Sequence, residues 1–276
     1  GDGRPCFWLS GLQKYIQVFE HMENQMMFQP EELPYEKLAL LGISEEKLRS
    51  MPRELTVTLL EGRITPLFVA NVTAEDGKVI ALPLKAQMIR DEKGKMLLMT
   101  YPVRKDIAND IQLNDNELNR VKDGEVIRKE MKEDGERKVK FVQLDRETHS
   151  LMYRNVGSIP VDERLQDIEK VKDIELGANQ KQAIKDGKPV ELTLDDTKVT
   201  VGIDLREPQG FKIVNGDLKE WERQLHIRYD NAHEDFMGYV MTDENRWEYQ
   251  KVVERQAHPA LQEYSEKKDR SQGFKL

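Results

Sequence analysis

Apolar residues recur along the chain with two periods, and the switches between them divide it into segments. Over residues 7–27, Leu9, Leu12, Ile16, Phe19, Met22 and Met26 follow one another at steps of three or four, the spacing of one helical face. Gln13, Lys14, Glu20 and Asn24 stand off that face, while Glu23 falls on it. Such a stripe either docks on a partner or a second copy, with Glu23 meeting a basic group, or packs on its own domain with Glu23 turned to solvent. Pro30 breaks the chain, and Pro34 opens a short helix over residues 35–41, ended by Gly42. Ser44 is placed to cap a second short helix with Glu45 and Glu46 in its first turn, although Lys47 stands where a reciprocal capping box needs an acid. Pro52 opens a third, running to about residue 60 and closed by Gly62. Helices this short hold only by packing on one another, which predicts one helical cluster.

From Ile64 the period becomes two. Phe68, Ala70 and Val72 alternate, Asp76-Gly77 marks a hairpin, residues 79–88 form a second strand, and a turn at 91–94 leads to a third over 95–101. This helix-plus-meander pattern recurs. Leu113-Asn114-Asp115-Asn116 and Val121-Lys122-Asp123-Gly124 match Leu176-Gly177-Ala178-Asn179 and Ile184-Lys185-Asp186-Gly187 at a constant offset of 63, and Glu61-Gly62 gives a weaker third copy. The second turns fall at 91–94, 145–150 and 204–210. Three copies of one unit are therefore expected. Gly62, Asp123, Gly124, Asp186 and Gly187 are read as structural turn residues, because glycine past a helix end takes the left-handed conformation at little cost.

Residues 102–112 and 157–175 look like connectors. Asp217 is placed to cap a helix to about residue 225, followed by a strand near 236–241 and a charged helix from 243 to about 255, which Pro259 breaks or kinks. The last dozen residues should be mobile. The expected fold is α+β: an N-terminal amphipathic helix (1–30), the helical cluster with the first meander unit (31–110), a second helix-meander unit (111–160), a linker with the third (161–215), and a helical C-terminal extension with a mobile tail (216–276).

Composition narrows the class. The chain has 276 residues, 38% hydrophobic and 34% charged, with 43 Lys+Arg against 51 Asp+Glu for a net charge of −8. Such a chain folds in water; it is too apolar for a disordered polyampholyte and too charged for a membrane protein. The longest apolar runs, 66–72 and 79–84, fall far short of a membrane span. Phe7-Trp8-Leu9 is too short for a signal-peptide core, so the expected location is the cytoplasm. A lone Cys6 excludes an intramolecular disulfide and an all-thiolate zinc site.

The search for chemistry is largely negative. The chain has no phosphate-cradling glycine loop and no nucleophile-elbow motif. His226 and His233, with Asp230, Glu234 and Asp235, make the best metal candidate, against the plainer reading of a solvated polar loop; their spacing of seven does not match His-Glu-x-x-His. Asp195-Asp196 sits in a turn, where Asp is expected. Residues 120–140 carry eight Lys/Arg against six Asp/Glu with no interleaved aromatics, which describes a solvated hairpin better than a phosphate track. No cofactor, catalytic residue or metal site is expected.

Glu32-Leu33-Pro34-Tyr35-Glu36-Lys37-Leu38 with Leu41-Gly42-Ile43, then Leu60-Glu61-Gly62-Arg63-Ile64-Thr65-Pro66, resembles a domain of unknown function widespread in Bacteroidetes. Lys140-Phe-Val-Gln-Leu-Asp145-Arg-Glu-Thr, with Lys185-Asp186-Gly187-Lys188-Pro189-Val190 and Val199-Thr200-Val201-Gly202-Ile203-Asp204-Leu205, resembles its usual companion. The resemblance covers about residues 32–215 and implies a setting: such tandem domains are commonly encoded on conjugative transposons and related mobile elements. It implies no activity, cofactor or site residue. The expected function is a non-enzymatic accessory or scaffold protein of a mobile element, acting through protein contacts. Leu12, Ile16 and Phe19, or Trp221 and Trp247, would supply the contact surface, with homo-oligomerisation through the N-terminal helix left open. The alternative is a DNA-binding accessory factor in element transfer or processing.

Overall fold

The structure, a computed structural model, describes residues 26–194, 196–230, 237–242 and 246–252. Within them the chain is mixed α and β, with seven α-helices and eleven strands in three sheets. The prolines set the first three helices: α1 (Tyr35–Leu40), α2 (Glu45–Arg49) and α3 (Arg53–Glu61). Ser44 Oγ accepts a hydrogen bond from the Lys47 amide at 3.3 Å, capping α2. Phe28, Leu38, Leu48, Leu55 and Leu59 from this cluster are buried against Phe68, Leu84 and Met88 of the first sheet.

That sheet contains β1 (Phe68–Thr73), β2 (Val79–Arg90) and β3 (Met96–Pro102), paired antiparallel with Phe68 opposite Leu84 and Leu84 opposite Pro102. Helix α4 (Asp115–Lys122) follows, its start fixed by a reciprocal box between Asn114 and Glu117. It leads into the antiparallel sheet β4 (Ile127–Glu133), β5 (Glu136–Asp145) and β6 (Ser150–Asn155). Helices α5 (Val161–Lys172) and α6 (Ala178–Lys185) precede the third, antiparallel sheet, β7 (Val190–Leu194), β8 (Thr197–Ile203) and β9 (Phe211–Asn215). Gly62, Gly124 and Gly187 end α3, α4 and α6 with φ of 74°, 92° and 90°. At Gly187 a side chain would also collide with a neighbour, because a Cβ there would lie 2.7 Å from the Val126 carbonyl oxygen.

One apolar core joins the parts. Ile64 and Tyr101 from the first segment, Phe141 and Met152 from the second sheet, and Val201, Ile203 and Phe211 from the third belong to a single buried cluster. Helix α5 inserts Leu165 and Ile168 into it.

Three expectations change. Residues 161–172, expected to be a connector, are helical: Val161, Leu165 and Ile168 make a narrow buried stripe at helical spacing, hidden in the sequence by the charges between them. The segment expected to be a charged helix from 243 holds instead a strand, β11 (Trp247–Lys251), antiparallel to β10 (Met237–Met241). β10 runs parallel to β1, with Phe68 opposite Tyr239, so the C-terminal segment completes a five-stranded first sheet in the order β11-β10-β1-β2-β3. Tyr239 and Tyr249 face each other across the new hairpin with ring centroids 5.0 Å apart. Lastly, helix α7 (Leu218–Asp230) continues through His226 where a polar loop was expected. Most of the N-terminal stripe, including Leu12, Ile16 and Phe19, lies outside the described residues, as does the tail beyond 252; Met26 and Met27 are not helical. No helix among the described residues is long and apolar enough to cross a membrane.

Candidate functional site

The three sheets meet at a ring of buried polar side chains. Lys85, near the middle of β2 and 7% exposed, reaches the second sheet, where its Nζ lies 3.1 Å from Asp145 Oδ1 and 2.7 Å from Glu147 Oε2. Asp145, at the end of β5, also accepts from the Thr148 hydroxyl at 2.6 Å. Burial pushes the Asp145 carboxyl up, but the Lys85 ammonium, the Thr148 hydrogen bond and the nearby Arg206 outweigh it, leaving the group below the usual carboxylate range.

Gln143 carries the second link. Its Nε2 donates to Asp204 Oδ1 at 3.1 Å and its Oε1 accepts from the Leu205 amide at 2.7 Å, tying β5 to the loop after β8. Asp204, fully buried, is gripped by Arg206 through Nε and Nη2, each at 2.9 Å. Burial opposes the Arg206 charge, yet Asp204 raises its pKa above that of a free guanidinium, so it stays protonated. Lys212 approaches Asp204 and Glu207 at 3.9 and 3.7 Å.

The third link returns to the first sheet. Gln87 Nε2 donates to the Gly62 and Leu205 carbonyls at 3.0 and 2.9 Å, the Ile64 amide donates to the Arg206 carbonyl at 3.0 Å, and Arg63 pairs with Glu207. Each sheet is thus bonded to both others. Neutral amides and opposed charges satisfy one another here without bulk water.

Above this ring opens a cleft of about 860 Å³. Arg63 and Pro66 contribute from the first segment, Val126 and Arg146 from the second, and Pro189 and Trp221 from the third and α7. Five basic and six acidic side chains line it. That balance suits a mixed polar and apolar segment better than a run of phosphates. Arg146 donates to the Lys122 carbonyl and so braces the Gly124 turn against β5.

The sequence candidates fall in separate places. Trp221 is 4% exposed, and a Cβ on Gly202 would lie 3.1 Å from its ring; the indole fixes α7 to β8 and forms one cleft wall. Trp247 is half-buried against the first core cluster, and its indole N–H has no acceptor among the described residues. His226 lies within α7, and His233 lies outside the described residues. Among the described residues no three His, Cys, Asp or Glu side chains are grouped to hold a metal ion. Gly124 and Gly187 line the cleft, and Gly62 lends the ring its carbonyl. The ring itself went unrecognised in the sequence. Its signal was present as polar residues inside apolar strands: Lys85 and Gln87 in β2, Gln143 in β5.

Residues 28–112 match a family model described as a protein of unknown function (DUF4099). The matched stretch, similar to a domain of unknown function, holds the helical cluster and β1–β3, hence the Arg63, Lys85 and Gln87 side of the ring. No curated protein and no solved structure matches the chain.

Proposed function

We propose that this chain is a cytoplasmic, non-enzymatic binding module, an accessory or scaffold protein of a mobile, conjugative element, that receives a segment of a partner protein in the cleft where its sheets meet. One observation carries the reading: three sheets converge on a single cleft of about 860 Å³ whose deepest charges are already committed to one another. Lys85, Asp145, Asp204 and Arg206 hold the walls together, and a group so committed is a poor general acid or base. The exposed Lys188 and Glu222 at the mouth and the apolar Pro66, Pro189 and Trp221 inside offer the mixture that protein interfaces use.

We read the helix-plus-meander pattern as one unit used three times, with its glycine turns gathered around the cleft. The mobile-element setting rests on the resemblance of residues 32–66 and 140–205 to the tandem domains. A photoreactive residue placed at Lys188 or Glu222, and as a control at the exposed Val79, tests the reading in cells carrying such an element. The two cleft positions should cross-link to the same protein and Val79 should not; a pattern independent of position defeats the proposal. DNA binding is the competing reading. A log-affinity slope against salt that corresponds to several released counterions would favour it over protein contacts.

A further inference from the structure

A second recess, of about 690 Å³, shares no lining residue with the cleft, so a ligand held there is independent of any partner segment in the cleft. It lies where β6, the start of α5 and the Gln209 loop come together. Arg154, on β6 opposite Phe141, lines it and is 6% exposed. Among the described residues neither its Nε nor its Nη1 has a hydrogen-bond acceptor. In this respect Arg154 is unlike Arg206, whose guanidinium is met by a carboxylate. A buried guanidinium without a counter-charge is unfavourable, and an anion in the recess would supply that charge.

Three further observations point the same way. First, the lining gathers cations in an acidic chain: Arg90, Arg128, Arg154 and Lys185 beside Asp162 and Glu163, where the whole chain carries −8. Second, the outer cations already have partners, Arg90 with Glu32 at 2.7 Å, Arg128 with Asp186 at 3.2 Å and Lys185 with Asp162 at 2.7 Å; they supply field at the rim and leave Arg154 as the unsatisfied donor. Third, space for the guanidinium is kept by Gly210, at φ 70°, where a Cβ would lie 3.3 Å from Arg154 Nη1 and 2.7 Å from Ile159 Cδ1. Burial lowers the Arg154 pKa to about 10, a shift that the neighbouring Tyr101 opposes, so the side chain is charged at neutral pH.

We propose that this recess binds a small dianion of the phosphate class, with the Arg154 guanidinium as its anchoring donor. Arg154 is the lining cation without a carboxylate partner, and a compact oxyanion with several acceptor oxygens suits its guanidinium. A nucleic-acid backbone is disfavoured, because the anchoring donor sits below the surface and the rim cations are tied down. Carboxylates share the geometry with half the charge.

Isothermal titration of inorganic phosphate into the full chain at constant ionic strength provides the test, with sulfate, acetate and phenyl phosphate as separate arms. Phosphate and sulfate should bind saturably, one per chain, with acetate at least about tenfold weaker. Tighter binding of phenyl phosphate than of phosphate assigns the site to an ester; the reverse order assigns it to the free ion. Arg154→Met, close in volume and uncharged, should lower phosphate affinity at least about tenfold with unchanged circular dichroism. Lys185→Ala, at the rim, should lower it about threefold through the lost field. Absence of saturable phosphate binding to the unaltered chain overturns the proposal, as does equal affinity in Arg154→Met. Should Arg154→Met fail to fold, equal affinity in Lys185→Ala overturns it as well.

Discussion

The ring under the cleft and the recess beside Arg154 are both buried and both charged, yet they are built on opposite rules. In the ring every carboxylate has a cation or an amide facing it; Lys85–Asp145 and Gln143–Asp204 run between sheets, and Arg206 grips Asp204 within the third. In the recess a guanidinium of similar burial has unmet N–H groups. The first arrangement spends its charges on holding segments together. The second keeps a charge in reserve, which is a cost to stability that a structural role does not explain.

Cutting the ring at its centre should produce the largest effect. Asp204→Ala removes the carboxylate that meets Arg206 and Gln143, leaving a buried guanidinium without its bidentate partner; a loss of about 3–5 kcal/mol in urea unfolding is expected. Lys85→Met should cost somewhat less, about 3 kcal/mol, because Glu147 retains some solvent. Its sharper signature is in pH. With Lys85 present the folded-state pKa of Asp145 lies below its unfolded value, so this carboxylate's contribution is complete above the unfolded pKa and is lost as pH falls through the folded one. Without Lys85 the burial that pushes this carboxyl up is opposed by Thr148 and Arg206 alone, so the folded pKa rises and the acid-side slope from this group flattens. Urea midpoints measured from neutral pH downward distinguish the two cases. The smallest effect, of opposite sign, belongs to the recess: Arg154→Met should leave the anion-free protein unchanged or up to about 1 kcal/mol more stable, since it removes an uncompensated buried charge. Destabilisation comparable to that of Asp204→Ala would erase the contrast between the two sites.

Much of the architecture was legible because it follows from local rules. Alternating Phe68, Ala70 and Val72 announced β1, Ser44 and the prolines bounded the short helices, and Gly62, Gly124 and Gly187 marked where helices turn into strands. Local signals failed where charge covered them. In α5 three buried apolar residues are scattered among acids and bases, and in β11 the alternation of Trp247 and Tyr249 spans only five residues inside a polar stretch. The site was legible only as a set of misplaced polar residues. Lys85 finds Asp145 at 60 residues' distance, Gln143 finds Asp204 at 61, and Gln87 finds the Leu205 carbonyl at 118. Spacing along a chain does not encode such choices, which depend on how separate sheets stack. Arg154 gave no signal at all, since an arginine in a strand is ordinary until its surroundings are known.

The parallel pairing of β10 with β1 also orders events in time. Phe68 leaves the ribosome long before Tyr239, with more than half of the chain still to be made. At typical translation speeds the interval is roughly 10–30 s. Throughout it β1 presents a free strand edge, the kind of surface on which nascent chains mispair. Among the described residues the last hairpin is what covers that edge, so synthesis stalled ahead of residue 237 leaves a chain whose three-way junction can form while its first sheet still lacks this border.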